Sequence, residues 1–322
     1  MRASVSQIIV LYLSCLLLQM GWTTQVSAIV TAVGKPWLRG SGYFHHLRLD
    51  PRGRFVAYQG EDGLGLSVLD LKTSQVYLVS EAQIGASFAW APDGFRLFYR
   101  EQSQIADGGI KSLINAFDCA NFKNVVLDEM STASGYLTLD PRDLRLQILG
   151  PKGVRTKKIY FPTERLARWQ VAQRVEHGKW LATQQSMLWI THGGIGMRKL
   201  DDDGSGVESF DIAPHGDRVV WATHHGRIYV SRDGGTPRFV AYGRDPRWHP
   251  RRPLIVFAGA RMVGNKIISY DLRLADQEGV AGQFLTATQL ASERWPQWRG
   301  NSERLVYAVE QTNELYTLDV RP

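Results

Sequence analysis

Residues 88–100, FAWAPDGFRLFYR, read as an apolar strand, a tight polar turn and a second strand. A proline presets φ near about −65° for the first corner of such a turn, an aspartate hydrogen-bonds the local backbone, and a glycine accepts the positive φ that follows. Whether Pro92, Asp93 and Gly94 mark a site or a piece of architecture depends on whether the stretch recurs. It does: LRLDPRGRFVAY (47–58), LTLDPRDLRLQI (137–148), FDIAPHGDRVVW (210–221), PRWHPRRPLIVF (246–257) and PQWRGNSERLVY (296–307) align with it, and all but the last keep the turn proline.

A third and a fourth strand follow the clear copies: after RVVWAT comes GRIYVSRDGG and then TPRFVAYG. Four strands in a repeat of about 40 residues is the unit of a β-propeller blade. The turn prolines Pro51, Pro92, Pro141, Pro214 and Pro250 leave one wide gap, after Pro141. A degraded copy fills it, with WQVAQRVEHGKWLAT (169–183) standing for two strands and SMLWITHGG and IGMRKL for the next two. The expectation is an all-β propeller of seven blades, with six as the alternative if that region is only an excursion. The chain stops at ELYTLDVRP, a third strand, so the stretch IVTAVGKPWL (29–38) is expected to supply the last blade's outermost strand and close the ring. Two blades carry added length, near 102–124 and near 272–294.

The first residues, MRASVSQIIVLYLSCLLLQMGWTTQVSA, hold one basic residue, Arg2, an apolar run from Ile8 to Leu18, and small residues at Val26 and Ala28. This is the pattern of a cleaved secretory signal over 1–28, leaving 29–322 as one domain without a membrane span. The alternative is a retained anchor that recruits Gln19 to Trp22. Cys15 belongs to the leader, so Cys119 is the only cysteine left and no internal disulfide forms. A lone thiol with no histidine beside it in NAFDCANFK reads as a small buried side chain. The hydrophobic share of 44% supports a real core, and the net charge of +7 is too modest for a nucleic-acid binder outside the cell.

FAWAPDGFRLFY, LRLDPRGRFVAY and FDIAPHGDRVVW with its continuation resemble the TolB-type propeller repeat. The resemblance covers nearly all of 29–322 and implies an exported propeller that binds another component of the cell envelope. The α/β domain that precedes the propeller in that family has no room here, so docking through such a domain is not carried over.

Candidate chemistry is sparse. LDDDGSGVESFD (200–211) places Asp201, Asp203 and Ser205 like a calcium loop, but position twelve is Ile212 where a bidentate glutamate should stand, and a solvated turn fits better. The pairs His45-His46 and His224-His225 cannot chelate from one strand face, because neighbours point opposite ways. No Gly-x-Ser-x-Gly, His-Glu-x-x-His or phosphate-binding glycine loop occurs. Neither cofactor nor metal nor catalytic residue is therefore expected. The densest unusual stretch is YGRDPRWHPRRP (242–253), in which Arg244, Arg247, Trp248, His249, Arg251 and Arg252 have the composition of a contact surface for protein or anionic groups. The alternative there is a packing tryptophan, equivalent to Trp90 and Trp298, among solvated turn arginines. The resulting expectation is a monomeric, non-catalytic periplasmic or secreted binding module for an envelope protein or anionic envelope component. The alternative is a glycoside hydrolase or lyase with its site in the central channel.

Overall fold

The computed structural model describes residues 35–39, 44–60, 64–84, 88–91, 93–104, 108–130, 137–140, 145–150, 153–158, 170–171, 180–184, 187–192, 195–200, 203–215, 217–288, 291–300 and 303–320. The leader, residues 29–34, Pro92, Pro141 and Asp201 lie outside them. Every regular element among the described residues is a β-strand. β1 is Lys35–Arg39. A first meander holds β2 (His45–Leu49), β3 (Phe55–Gln59), β4 (Leu64–Asp70) and β5 (Gln75–Gln83), and a second β6 (Phe88–Trp90), β7 (Arg96–Gln104), β8 (Ile110–Asp118) and β9 (Lys123–Met130). Next come β10 (Leu137–Asp140), β11 (Arg145–Gly150), β12 (Gly153–Lys158) and β13 (Gln170–Val171), then β14 (Trp180–Gln184), β15 (Met187–His192) and β16 (Ile195–Lys199). β17 (Val207–Ile212), β18 (Arg218–Thr223), β19 (Arg227–Arg232), β20 (Arg238–Trp248), β21 (Leu254–Val263), β22 (Lys266–Asp276) and β23 (Ala281–Phe284) form one sheet in chain order. β24 (Glu293–Trp298), β25 (Arg304–Val309) and β26 (Glu314–Asp319) complete the chain, and β1 pairs antiparallel with β26 at the edge of their sheet.

Of the Pro92-Asp93-Gly94 turn, Asp93 and Gly94 are described, and Gly94 takes the positive φ expected of it, 68°. Asp93 Oδ1 accepts Phe95 N at 2.9 Å, and in the first meander Asp50 accepts from Arg52 N, Arg54 N and Phe55 N. The second strands RVVWAT and RLVYAV are buried along nearly their whole length, because a neighbouring meander covers each face. The apolar clusters lie between meanders. Phe55, Ala57, Leu66 and Val68 pack with Phe88, Leu97, Tyr99 and Phe117, whereas Leu47, Val56 and Leu69 pack with Trp295, Ala308 and Leu315 of the last meander. Cys119 sits in the first of these clusters, where burial pushes its thiol up to about 12, and it has the character of a packing residue.

Three departures from the sequence reading concern the site. Gln170–Val171 pairs with β12 and closes the preceding meander; no Pro-Asp-Gly turn stands between 171 and 180 to fold it into the next one. β20 serves two meanders: residues 238–242 pair with β19 and residues 243–248 with β21. Gly243 lies at the changeover, where a Cβ would stand 2.4 Å from the Ala258 carbonyl oxygen. The added length near 102–124 extends the β7–β8 hairpin, while in the later meander it divides between the tip of the β21–β22 hairpin and the 285–292 connector.

Candidate functional site

The innermost strands β2, β17, the second half of β20 and β24 enter the turn after an equivalent irregularity. Pairing shifts register between His45 and Arg48, between Arg244 and Arg247, and between Arg294 and Gln297, with a related shift at Val207–Ser209. His46, Asp245 and Trp295 occupy equivalent places in three of these strands, with φ of 50°, 53° and 52°. Bulges re-aim side chains, and here they bring His45, Glu208, Arg244, Arg294 and their neighbours toward one end of the central axis. Proline follows the bulged residue in Arg244-Asp245-Pro246 and Arg294-Trp295-Pro296, and a proline within a strand run is the sequence signal that could have located this feature.

The result is an ion network that links these inner strands. Arg244 Nη1 meets Glu208 Oε1 at 2.5 Å, and its Nε donates to the Tyr270 hydroxyl at 3.0 Å. Arg294 donates to Asp245 Oδ2 at 2.7 Å and to Glu310 Oε1 at 2.8 Å, and its guanidinium lies 5.1 Å from the Tyr270 ring centroid. Burial raises the Glu208 pKa, with Asp245 adding to it against Arg244. Burial works the same way on Asp245, but Arg294 overcomes it and holds that carboxyl low. His46, desolvated, is lowered to about 4 and is neutral at physiological pH despite Asp245 nearby. Deeper along the axis, Asp211 accepts Trp248 N at 2.8 Å beside Arg247.

The six residues singled out from 242–253 do not share one surface. Arg244 is in the ion network, with 29% of its side chain exposed. Arg247 is buried and donates to the Phe210 carbonyl at 3.1 Å. Trp248 packs in the core between meanders, as Trp90 and Trp298 do in theirs. The strand run from 244 to 248 spans about 13 Å, which carries the remaining three to the opposite end. His249 is buried there, its Nδ1 accepting Arg251 N at 3.0 Å and Arg252 N at 2.9 Å.

Arginines at that opposite end link neighbouring turns. Arg252 pairs with Glu303 of the next meander, Arg299 Nε donates to Gly53 O at 3.2 Å, and the Arg52 guanidinium lies 4.3 Å from the Phe95 ring centroid. The turn glycines therefore have a second reason: a Cβ on Gly53 would lie 2.6 Å from Arg299 Cγ, and one on Gly94 2.8 Å from Arg52 Cγ. Replacing His249 by alanine should thus cost about 1–2 kcal/mol of stability through the two orphaned turn amides. Urea unfolding of both proteins checks this, and an unchanged midpoint would contradict the structural role.

Of the acidic loop 200–211, residues 201 and 202 lie outside the described residues, and 203–205 form a bend. Asp203 accepts from Ser205 N at 3.1 Å, Ser205 Oγ at 2.7 Å and Thr223 Oγ1 at 3.0 Å, latching the connector onto the β18–β19 turn. Among the described residues, no group of three or more His, Cys, Asp or Glu side chains is placed to hold a metal ion. Nor is any helix among them long and apolar enough to cross a membrane.

No family model and no curated protein matches the chain. Among solved structures it is similar to the RRP9 WD40 repeats, with a TM-score of 0.62 at 10% identity over 92% of this chain and 99% of that one. It is also similar to the β-propeller domain of Myceliophteria thermophila Cps50 (Swd1), with a TM-score of 0.56 at 16% identity over 88% of this chain and 98% of that one. The structure of U3-55K gives a TM-score of 0.60 at 9% identity over 91% and 99%. These likenesses establish the fold as a β-propeller.

Proposed function

We propose that this β-propeller is an exported, non-catalytic binding module built from TolB-type repeats, with residues 1–28 as its leader. In this reading it is a monomer of seven blades, with β1 closing the last. The supporting features are the run of meanders in chain order, the pairing of β1 with β26, and the packing of the last meander on the first. The observation that carries the binding role is the ion network, which we place at the mouth of the central channel and in which Arg244, Glu208, Glu310 and Tyr270 stay partly exposed. Sites on rigid elements with paired charges favour specific docking over general attraction. Because Arg244 and Arg294 are already engaged by carboxylates, a segment of an envelope protein suits the mouth better than an anionic component.

The test is affinity capture from the native envelope with the purified chain, a Tyr270→Ala variant at the mouth and an Arg251→Glu variant at the opposite end. Capture should survive Arg251→Glu and fail with Tyr270→Ala at unchanged melting. A macromolecule retained equally by all three overturns the mouth as the contact. Retention of none moves attention to glycan hydrolysis in the channel, where Glu208 and Asp245 have pKa values displaced in opposite directions.

A further inference from the structure

The long β21–β22 hairpin adds a second feature to the mouth. Tyr270, on β22, contacts both Arg244 and Arg294. Ile268 lies two residues farther out, where the strand slips register, and it is 53% exposed; Met262 and Val263 across the tip are 40% and 65% exposed. An exposed apolar tip thus rises from the edge of a charged floor.

The floor has an unmet acceptor. Glu208 and Glu310 are partly exposed carboxylates beside the guanidiniums of Arg244 and Arg294, while Asp245 is buried on Arg294. Glu208 Oε1 takes Arg244, while its Oε2 is buried without a hydrogen-bond partner. The Glu208 side chain as a whole is 17% exposed, so its carboxylate lies at the surface of the floor. An unsatisfied carboxylate oxygen in a partly desolvated site calls for a cationic donor.

We propose, on the basis of the binding-module reading, that the cleft between this hairpin and the channel mouth seats a peptide segment in which a lysine or arginine is flanked by apolar residues. The cation completes Glu208 and faces Glu310, and an apolar neighbour covers Ile268 and Met262. Arg244 is already neutralised by Glu208, so the group left open to a partner there is an acceptor.

Two blocked pentapeptides test this, acetyl-Ala-Leu-Arg-Leu-Ala-amide and its glutamate-centred counterpart, titrated into the purified chain by NMR. The arginine peptide should bind and the glutamate peptide should not. Glu208→Gln and Ile268→Asp, each checked for unchanged melting, should weaken binding by about tenfold. Equal or tighter binding of the glutamate peptide, or undiminished binding by Glu208→Gln, overturns the proposal. If neither peptide binds, the cation cleft is wrong while envelope capture still decides the module reading.

Discussion

Replacing Glu293 by glutamine is expected to stabilise the protein at pH 8 by up to roughly 3 kcal/mol, and by progressively less as the pH falls toward 4.5. Glu293 is 1% exposed, and Leu272 N donates to its Oε2 at 3.2 Å while Thr286 meets the same oxygen. Beside it lies the buried Asp271, which Arg261 and Thr288 engage. Burial, with Asp271 adding to it, pushes the Glu293 carboxyl from 4.5 to about 7 against the hydrogen bonds that favour its charge. Between those two values the folded chain holds a proton that the unfolded chain has released. Folding stability therefore falls as pH rises through this window, opposite to the usual behaviour of a paired carboxylate. Glutamine keeps the acceptor oxygen and cannot ionise. Urea midpoints of both proteins at pH 5 and pH 8 measure the effect as a difference of differences, and a gap that does not widen with pH refutes it.

Arg294→Met should destabilise the chain by about 3–5 kcal/mol, the cost of leaving a buried charge without its partner. Only 9% of the Arg294 side chain is exposed, and it joins Asp245 to Glu310 while covering the Trp295 ring at 4.7 Å. Methionine keeps much of the stem volume, so the loss reports charge more than packing. What remains is Asp245, 4% exposed, with Trp295 N still donating at 3.2 Å. Adding Asp245→Asn to Arg294→Met should recover a substantial part of the lost stability, since it removes the stranded charge. A double variant no more stable than the single one would falsify the electrostatic account and leave packing as the cause.

How much of this was legible beforehand differs between fold and site. The repeated turn made the architecture readable, because Asp50 and Asp93 accept from groups within five residues of themselves. Trp248 could likewise be placed by its alignment with Trp90 and Trp298. Arg244, Arg247, Arg251 and Arg252 read as one basic cluster, and their separation was not visible: a strand carries its residues from one end of the channel to the other. Their partners, Glu208 for Arg244 and Glu303 for Arg252, come from other meanders, 36 and 51 residues away.

The hairpins and their period were encoded locally, since turn chemistry and apolar patterning act over a few residues. Tertiary structure alone decided that Gln170–Val171 joins the earlier sheet, that β20 serves two meanders, and that three bulges direct charged side chains into one network. The balance of charge there depends on distances of a few ångströms between strands far apart in the chain. Coulomb energies and desolvation change steeply over such distances, and no local pattern encodes them.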